Sequence, residues 1–186
     1  MLEKVVNEVV GAVVAAIGGV GDIVTAVREL VVSQIEGSVE DLGSLTTTGV
    51  ETTNSVIKGV LKGIKESGSE GIDATTGLFM GLVSSVSKGG SGVVESLGGF
   101  AQTTITEAKD TGADLGDVAV GSVTGVIKAS KQVGVDTTEA VTATVAGLIK
   151  GADNIGDEAG TSVKEALLSA AELPRDLIES VIKGSE

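Results

Sequence analysis

Residues 103–124, TTITEAKDTGADLGDVAVGSVT, are followed by residues 125–146, GVIKASKQVGVDTTEAVTATVA, and the two segments align position for position. Ile105 falls over Ile127, Gly112 over Gly134, Asp114 over Asp136 and Asp117 over Glu139. The period of 22 extends both ways, through 59–80 and 81–102 on one side and 147–168 on the other. Column 3 then reads Leu61, Val83, Ile105, Ile127, Ile149, and column 10 reads Gly68, Gly90, Gly112, Gly134, Gly156. Weaker copies keep the phase toward both ends, through Ile17, Val20, Val27 and Val31, and through Leu177, Ile178, Val181 and Ile182. The repeat is clearest over 59–168, and one pattern spans residues 1–186 without a linker, so we expect a single continuous architecture.

The spacing within the repeat identifies the secondary structure. Apolar or small residues dominate columns 2, 3, 6, 9, 10, 13, 14, 17, 20 and 21, and steps of three and four are helical. Twenty-two residues are two elevens, each three turns at about 3.67 residues per turn. The fold class is therefore all-α, and two chain traces fit it. In one, long Gly-rich amphipathic helices run through the repeats with few reversals, and the column-10 glycines face packed neighbours. In the other, each repeat is one helix and the glycine is a turn. Lys65, Lys88, Lys109 and Lys131 before the glycines, and Asp114/Asp117 and Asp136/Glu139 after them, resemble stop and start signals. The unbroken stripe favours the first trace, with Gly89-Gly90-Ser91-Gly92 as the best reversal. We therefore expect Gly68, Gly90, Gly112, Gly134 and Gly156 to be packing positions, together with Leu61, Val83, Ile105, Ile127 and Ile149. Pairs four apart, Gly59/Gly63, Gly77/Gly81, Gly112/Gly116, Gly121/Gly125 and Gly147/Gly151, also suit close backbone approach.

Composition narrows the chemistry. The chain has 28 Gly in 186 residues, no Cys, His, Trp or Tyr, and only Phe79 and Phe100 as aromatics. Without Cys or His, disulfides, thiolate or imidazole metal ligands and His bases are excluded. A net charge of −13 disfavours nucleic acid, whose binding rests on Lys and Arg. No Walker A motif occurs, and the Gly-rich pieces lack a dinucleotide-binding pattern. Asp110, Asp114 and Asp117 lie at helical intervals and read as a solvated face rather than a cation site. Lys128 and Lys131 with Asp136 and Glu139 read as surface pairs, and Ser84, Ser85 and Ser87 have no His to activate them. We expect no catalytic residue, no cofactor, no metal and no enzyme activity. Residues 9–21, VVGAVVAAIGGVG, make neither a convincing signal peptide nor more than a marginal span within 5–27, because Asn7, Glu8 and Asp22 interrupt it. Localisation stays open.

Segment 121–143, GSVTGVIKASKQVGVDTTEAVTA, resembles the eleven-residue repeats of perilipins, and its composition is similar to that of synucleins. The resemblance is clearest over 55–168 and implies long amphipathic helices on lipid surfaces. Those repeats are rich in Lys, whereas here only Lys62, Lys65, Lys88, Lys109, Lys128, Lys131 and Lys150 hold comparable places.

A lone helix carrying this stripe would expose more apolar surface than monomers usually show. The stripe must meet itself, other copies or lipid. We expect a self-assembling structural protein, a homo-oligomer whose helices pack into a filament, tube or bundle. The alternative is an amphipathic coat on a lipid surface.

Overall fold

The computed structural model describes residues 2–19, 21–39, 47–68, 71–89 and 92–185. Among them run the helices α1 (Leu2–Gly18), α2 (Ile23–Val39), α3 (Thr47–Ser67), α4 (Gly71–Lys88), α5 (Val93–Thr111), α6 (Leu115–Val133), α7 (Thr137–Ile155), α8 (Asp157–Ser169) and α9 (Arg175–Ser185). The protein is all-α. The expected long helices are replaced by helices of 11 to 21 residues. Helices α4 to α7 begin at Gly71, Val93, Leu115 and Thr137, a spacing of 22 each time.

The four described column-10 glycines, Gly68, Gly112, Gly134 and Gly156, lie in turns rather than at packing positions. Gly68, Gly112 and Gly134 have φ of 74°, 74° and 75°, the left-handed region that costs a side chain 1–2 kcal/mol or so. Gly156 has φ 153° and ψ 169°, a region left to glycine. Gly90 and Ser91 lie outside the described residues, so of the expected reversal only its flanks, Lys88 at the end of α4 and Val93 at the start of α5, are placed. A Cβ on Gly68, Gly134 or Gly156 would meet nothing within 4 Å, and one on Gly112 only the end of Lys65. Gly112 and Gly134 close Schellman-type ends, with Ala113 N donating to Ala108 O and Val135 N to Ser130 O. Two residues later Asp114 and Asp136 cap the next helices, accepting from Asp117 N and Glu139 N. The turns at 112–114 and 134–136 are equal in length and join helices of 19 residues, so they leave the 22-residue phase intact. That is why the stripe passes through them unbroken.

Close packing falls instead to the pairs four apart. Virtual Cβ atoms on Gly59 and Gly63 (α3) would lie 2.6 Å from side-chain carbons of Val9 and Val13 (α1). Those on Gly77 and Gly81 (α4) would press on Val27 and Val31 (α2), and those on Gly121 and Gly125 (α6) on Thr75 and Phe79 (α4). Gly147 and Gly151 (α7) take the backbones of Gly98 and Gln102 (α5). Numbers rise together across each pair, so helix i and helix i+2 run parallel. The pair Gly112/Gly116 makes no such contact, since Gly112 ends α5. The chain thus forms two interlocked rows: α1, α3, α5, α7 and α9 meet in order, as do α2, α4, α6 and α8, with consecutive helices joining the rows.

One link in the rows is looser. In α5 the position two residues after the packed side chain Ile105 carries Glu107 rather than glycine. There α3 and α5 meet over a smaller contact, and Lys58 reaches Glu107 at 3.6 Å.

The core is aliphatic. Helix α4 lies deepest, with every residue from Ala74 to Val86 buried. Leu61, Val83, Ile105 and Ile149 of column 3 are buried and Ile127 is half-buried. Buried hydroxyls satisfy themselves on the preceding turn: Thr53 donates to Gly49 O, Thr76 to Ile72 O, Ser84 to Met80 O, Ser122 to Val118 O and Thr144 to Ala140 O. The helices thereby come together on small Ser and Thr side chains without orphaned polar groups at these positions. No helix among the described residues is long and apolar enough to cross a membrane. The marginal span 5–27 is divided between α1 and α2, whose junction is capped by Asp22 accepting from Val24 N and Thr25 Oγ1.

Candidate functional site

Two places on the surface differ from the rest. The first is an open cleft of about 290 Å³ where α3 ends, α4 begins and α5 turns into α6. Ile64, Lys65, Gly71, Gly112, Asp114 and Asp117 line it. Its acids have structural work. Asp114 is the α6 N-cap, and Asp117 sits at the third position of the same helix. Burial, and then the neighbouring charge of Asp114, raise the Asp117 carboxyl above its ordinary pKa. Among the described residues that line it there is no Ser, Thr or Cys. Among the described residues no cluster of acidic side chains is arranged to hold a metal. The other polar sets named from sequence are likewise structural. Asp136 caps α7, Ser84 bonds its own helix, and Ser85 is buried on α4 with no hydrogen-bond partner.

The second place is α1. It is the most apolar helix of the chain, LEKVVNEVVGAVVAAIG, yet only Val6, Val9 and Val13 of its 17 residues are buried. They face α3 and α2, its two neighbours. The sequence from Val9 to Gly19 holds no polar side chain. Gly11 and Ala15 lie exposed, flanked by half-buried Val10 and Val14. Elsewhere the outward strips are polar: Thr25, Glu29 and Ser33 on α2, below the cap Asp22, and Arg175, Asp176, Ser180 and Lys183 on α9. An end helix normally carries a polar outer face; α9 does along its length, whereas on α1 the exposed polar residues Glu3, Lys4, Asn7 and Glu8 cover only the first half. In the sequence 9–21 reads as apolar, and as a candidate signal or membrane segment alone. The available clue was its contrast with the polar phase of every later helix.

No protein-family model matches the chain, and no curated protein matches it at a significant level.

Proposed function

We propose that this is a structural protein that works by associating with copies of itself. One observation carries the reading: the repeated apolar stripe is consumed inside the chain, while the most apolar helix, α1, keeps an uncovered outer face at the end of its row. Only Leu2, Val50 and Ile72 stand out as exposed large hydrophobics among the described residues, so association through the repeats themselves has little surface to use. A long filament needs a second sticky end, and the outer residues of α9 are polar. Assembly of limited size is the form that suits this chain. Coating a lipid surface in the manner implied by the perilipin resemblance would require the rows to open, because Val9, Leu61, Val83 and Ile105 are enclosed between helices.

Sedimentation equilibrium of the full chain from about 1 to 100 µM tests the proposal. A concentration-dependent rise in mass supports it. A constant monomer mass over that range refutes it.

A further inference from the structure

The rows are not equally tight along their length. Backbones meet through glycine at α1–α3, α2–α4, α4–α6 and α5–α7. Between α3 and α5 they do not. Columns 1 and 5 of the repeat are Gly59 and Gly63 in α3 and Gly147 and Gly151 in α7, but Thr103 and Glu107 in α5. In α4 the glycines that receive α2, Gly77 and Gly81, stand two residues after the side chains that press on α6, Thr75 and Phe79. In α5 Ile105 presses on Gly151, and two residues later stands Glu107. The glycines of α5, Gly98 and Gly99, have no described atom of α3 within 4 Å of a Cβ. What sits in this joint instead is a charge. Glu107 Oε2 is enclosed and accepts no hydrogen bond, and its ionic partner, Lys58 Nζ, stands 3.6 Å away. A carboxylate oxygen held in this way loses hydration that no hydrogen bond replaces. Farther along, Lys65 lies over the Gly112 turn, its Cε 3.5 Å from a Cβ built there. The open cleft has the end of α3 on one side and the α5–α6 turn on the other, so it spans the same joint.

We propose that the fold opens at this joint: α1 and α3, locked together by Val9 and Val13 on Gly59 and Gly63, swing as one body away from α5, which solvates Glu107 and widens the cleft. Opening is a motion of a single copy and stands apart from self-association. Separating α4 from α6 breaks a backbone contact and frees no enclosed charge. Separating α3 from α5 breaks a smaller contact and returns a carboxylate oxygen to water. Local opening follows the least packed elements, and this joint is the least packed between the long helices of the two rows. The remaining supports of α1 and α3, against α2 and α4, are likewise smaller than the contact between α1 and α3 themselves. The connections can bend: Gly18 and Gly21 flank the α1–α2 junction and Gly68 ends α3, all three in open space. The Lys58 side chain is 47% exposed, so salt reaches the ion pair that bridges the joint and weakens it.

The chain has no Cys, so pairs of spin labels can be introduced without background. Double electron–electron resonance on the full chain compares three pairs, all at exposed positions. Glu66→Cys with Thr106→Cys spans the joint, Thr106→Cys with Thr142→Cys spans α5–α7, and Asn7→Cys with Glu66→Cys spans α1–α3. Singly labelled proteins report distances between copies, which are subtracted. The joint distribution should be at least about twice as wide as the other two. Its longer component should grow from about 0.02 to 0.5 M NaCl, while the other two pairs hold still. Lys58→Ala should enlarge that component, because Glu107 loses its ionic partner. Glu107→Gly, which restores the residue found at this column in α3 and α7, should shrink it. A joint distribution as narrow as the other two at both salt concentrations overturns the proposal. Equal breadth in all three pairs also overturns it, since looseness would then be general. A wide joint distribution that ignores salt and both substitutions overturns the role given to Glu107.

Discussion

Column 19 of the repeat offers a paired experiment, because one residue type there meets opposite surroundings. Gly121 in α6 and Gly99 in α5 occupy the same repeat position. A Cβ on Gly121 would stand 2.5 Å from Ile72 O, 2.8 Å from Thr75 Cβ and 3.2 Å from Ile72 Cα. A Cβ on Gly99 would meet nothing within 4 Å. Both are mid-helix with ordinary φ, so Ala gains about 1 kcal/mol of helix propensity at either site. At Gly99 that gain stands alone. At Gly121 the backbone of α4 must move away by about 0.9 Å to restore a 3.4 Å contact. The carbonyl cannot rotate aside as a side chain would, since it belongs to α4. Overpacking of a tight core costs about 1–3 kcal/mol, and a backbone clash belongs at the upper end. The net expectation for Gly121→Ala is a loss of about 2 kcal/mol.

Thermal denaturation followed by circular dichroism reads both variants. For a chain of this size 1 kcal/mol moves the midpoint by roughly 2–4 °C. Gly121→Ala should fall by about 4–8 °C and Gly99→Ala should rise by about 2–4 °C. Urea midpoints should move the same way with unchanged slopes. A Gly121→Ala protein as stable as the wild type would show that α4 and α6 are not in backbone contact. The parallel i, i+2 arrangement would then lose its geometric basis.

Gly134→Ala should destabilise by about 1–2 kcal/mol although it has open space around it, because φ is 75° and the cost is conformational; the urea midpoint measures it. Asp136→Ala should lose about 1 kcal/mol by leaving the Glu139 N–H without its cap, checked in the same assay. Thr75→Val should stabilise by about 1 kcal/mol, since it replaces a buried hydroxyl that has no partner, whereas Thr76→Val should not, since Thr76 donates to Ile72 O. In a carboxyl NMR titration Asp117 should titrate above its ordinary value, and Asp22 and Glu179 below theirs, the first held by Thr25 and the second by Arg175. The signs oppose each other: the fold disfavours ionised Asp117, a penalty removed as pH falls through its raised pKa, while the support from Asp22 and Glu179 is present above their unfolded values and lost as pH falls through their lowered ones.

The all-α class was legible because column spacing reports helical faces directly, and the buried column-3 residues follow from the same signal. The trace was harder. Lys109–Gly112–Asp114 and Lys131–Gly134–Asp136 spelled stop, turn and cap in the sequence, yet the intact phase outweighed them. Phase is blind to a turn whose length is constant, so it could not arbitrate between one long helix and many short ones. The glycines had to be sorted by neighbours instead. Gly112 and Gly134, each followed two residues later by an Asp that caps the next helix, are turns, and Gly59, Gly77, Gly121 and Gly147, each followed four residues later by a second glycine within the same helix, are contacts. Gly112/Gly116 shows why spacing alone misleads, since it satisfies the second pattern and is claimed by the first.

Which helix meets which was not written in the column pattern at all. Small pairs state that a backbone approaches, without naming it. The pairing of i with i+2 follows once short turns reverse the chain at every helix, because a parallel partner is then two helices away. That geometry also explains where surface is left over. In the contacts α1–α3, α2–α4, α4–α6 and α5–α7 the earlier helix presses on glycines of the later one, and α1 has no helix before it in its row. At α2 the receiving positions are Glu29 and Ser33, which water satisfies. At α1 they are Gly11 and Ala15, which water does not. A row that ended for stability alone would carry a polar pair at both places, as α9 carries a polar outer face. Gly11 and Ala15 are therefore left exposed at the end of their row, and no helix of this chain fills them.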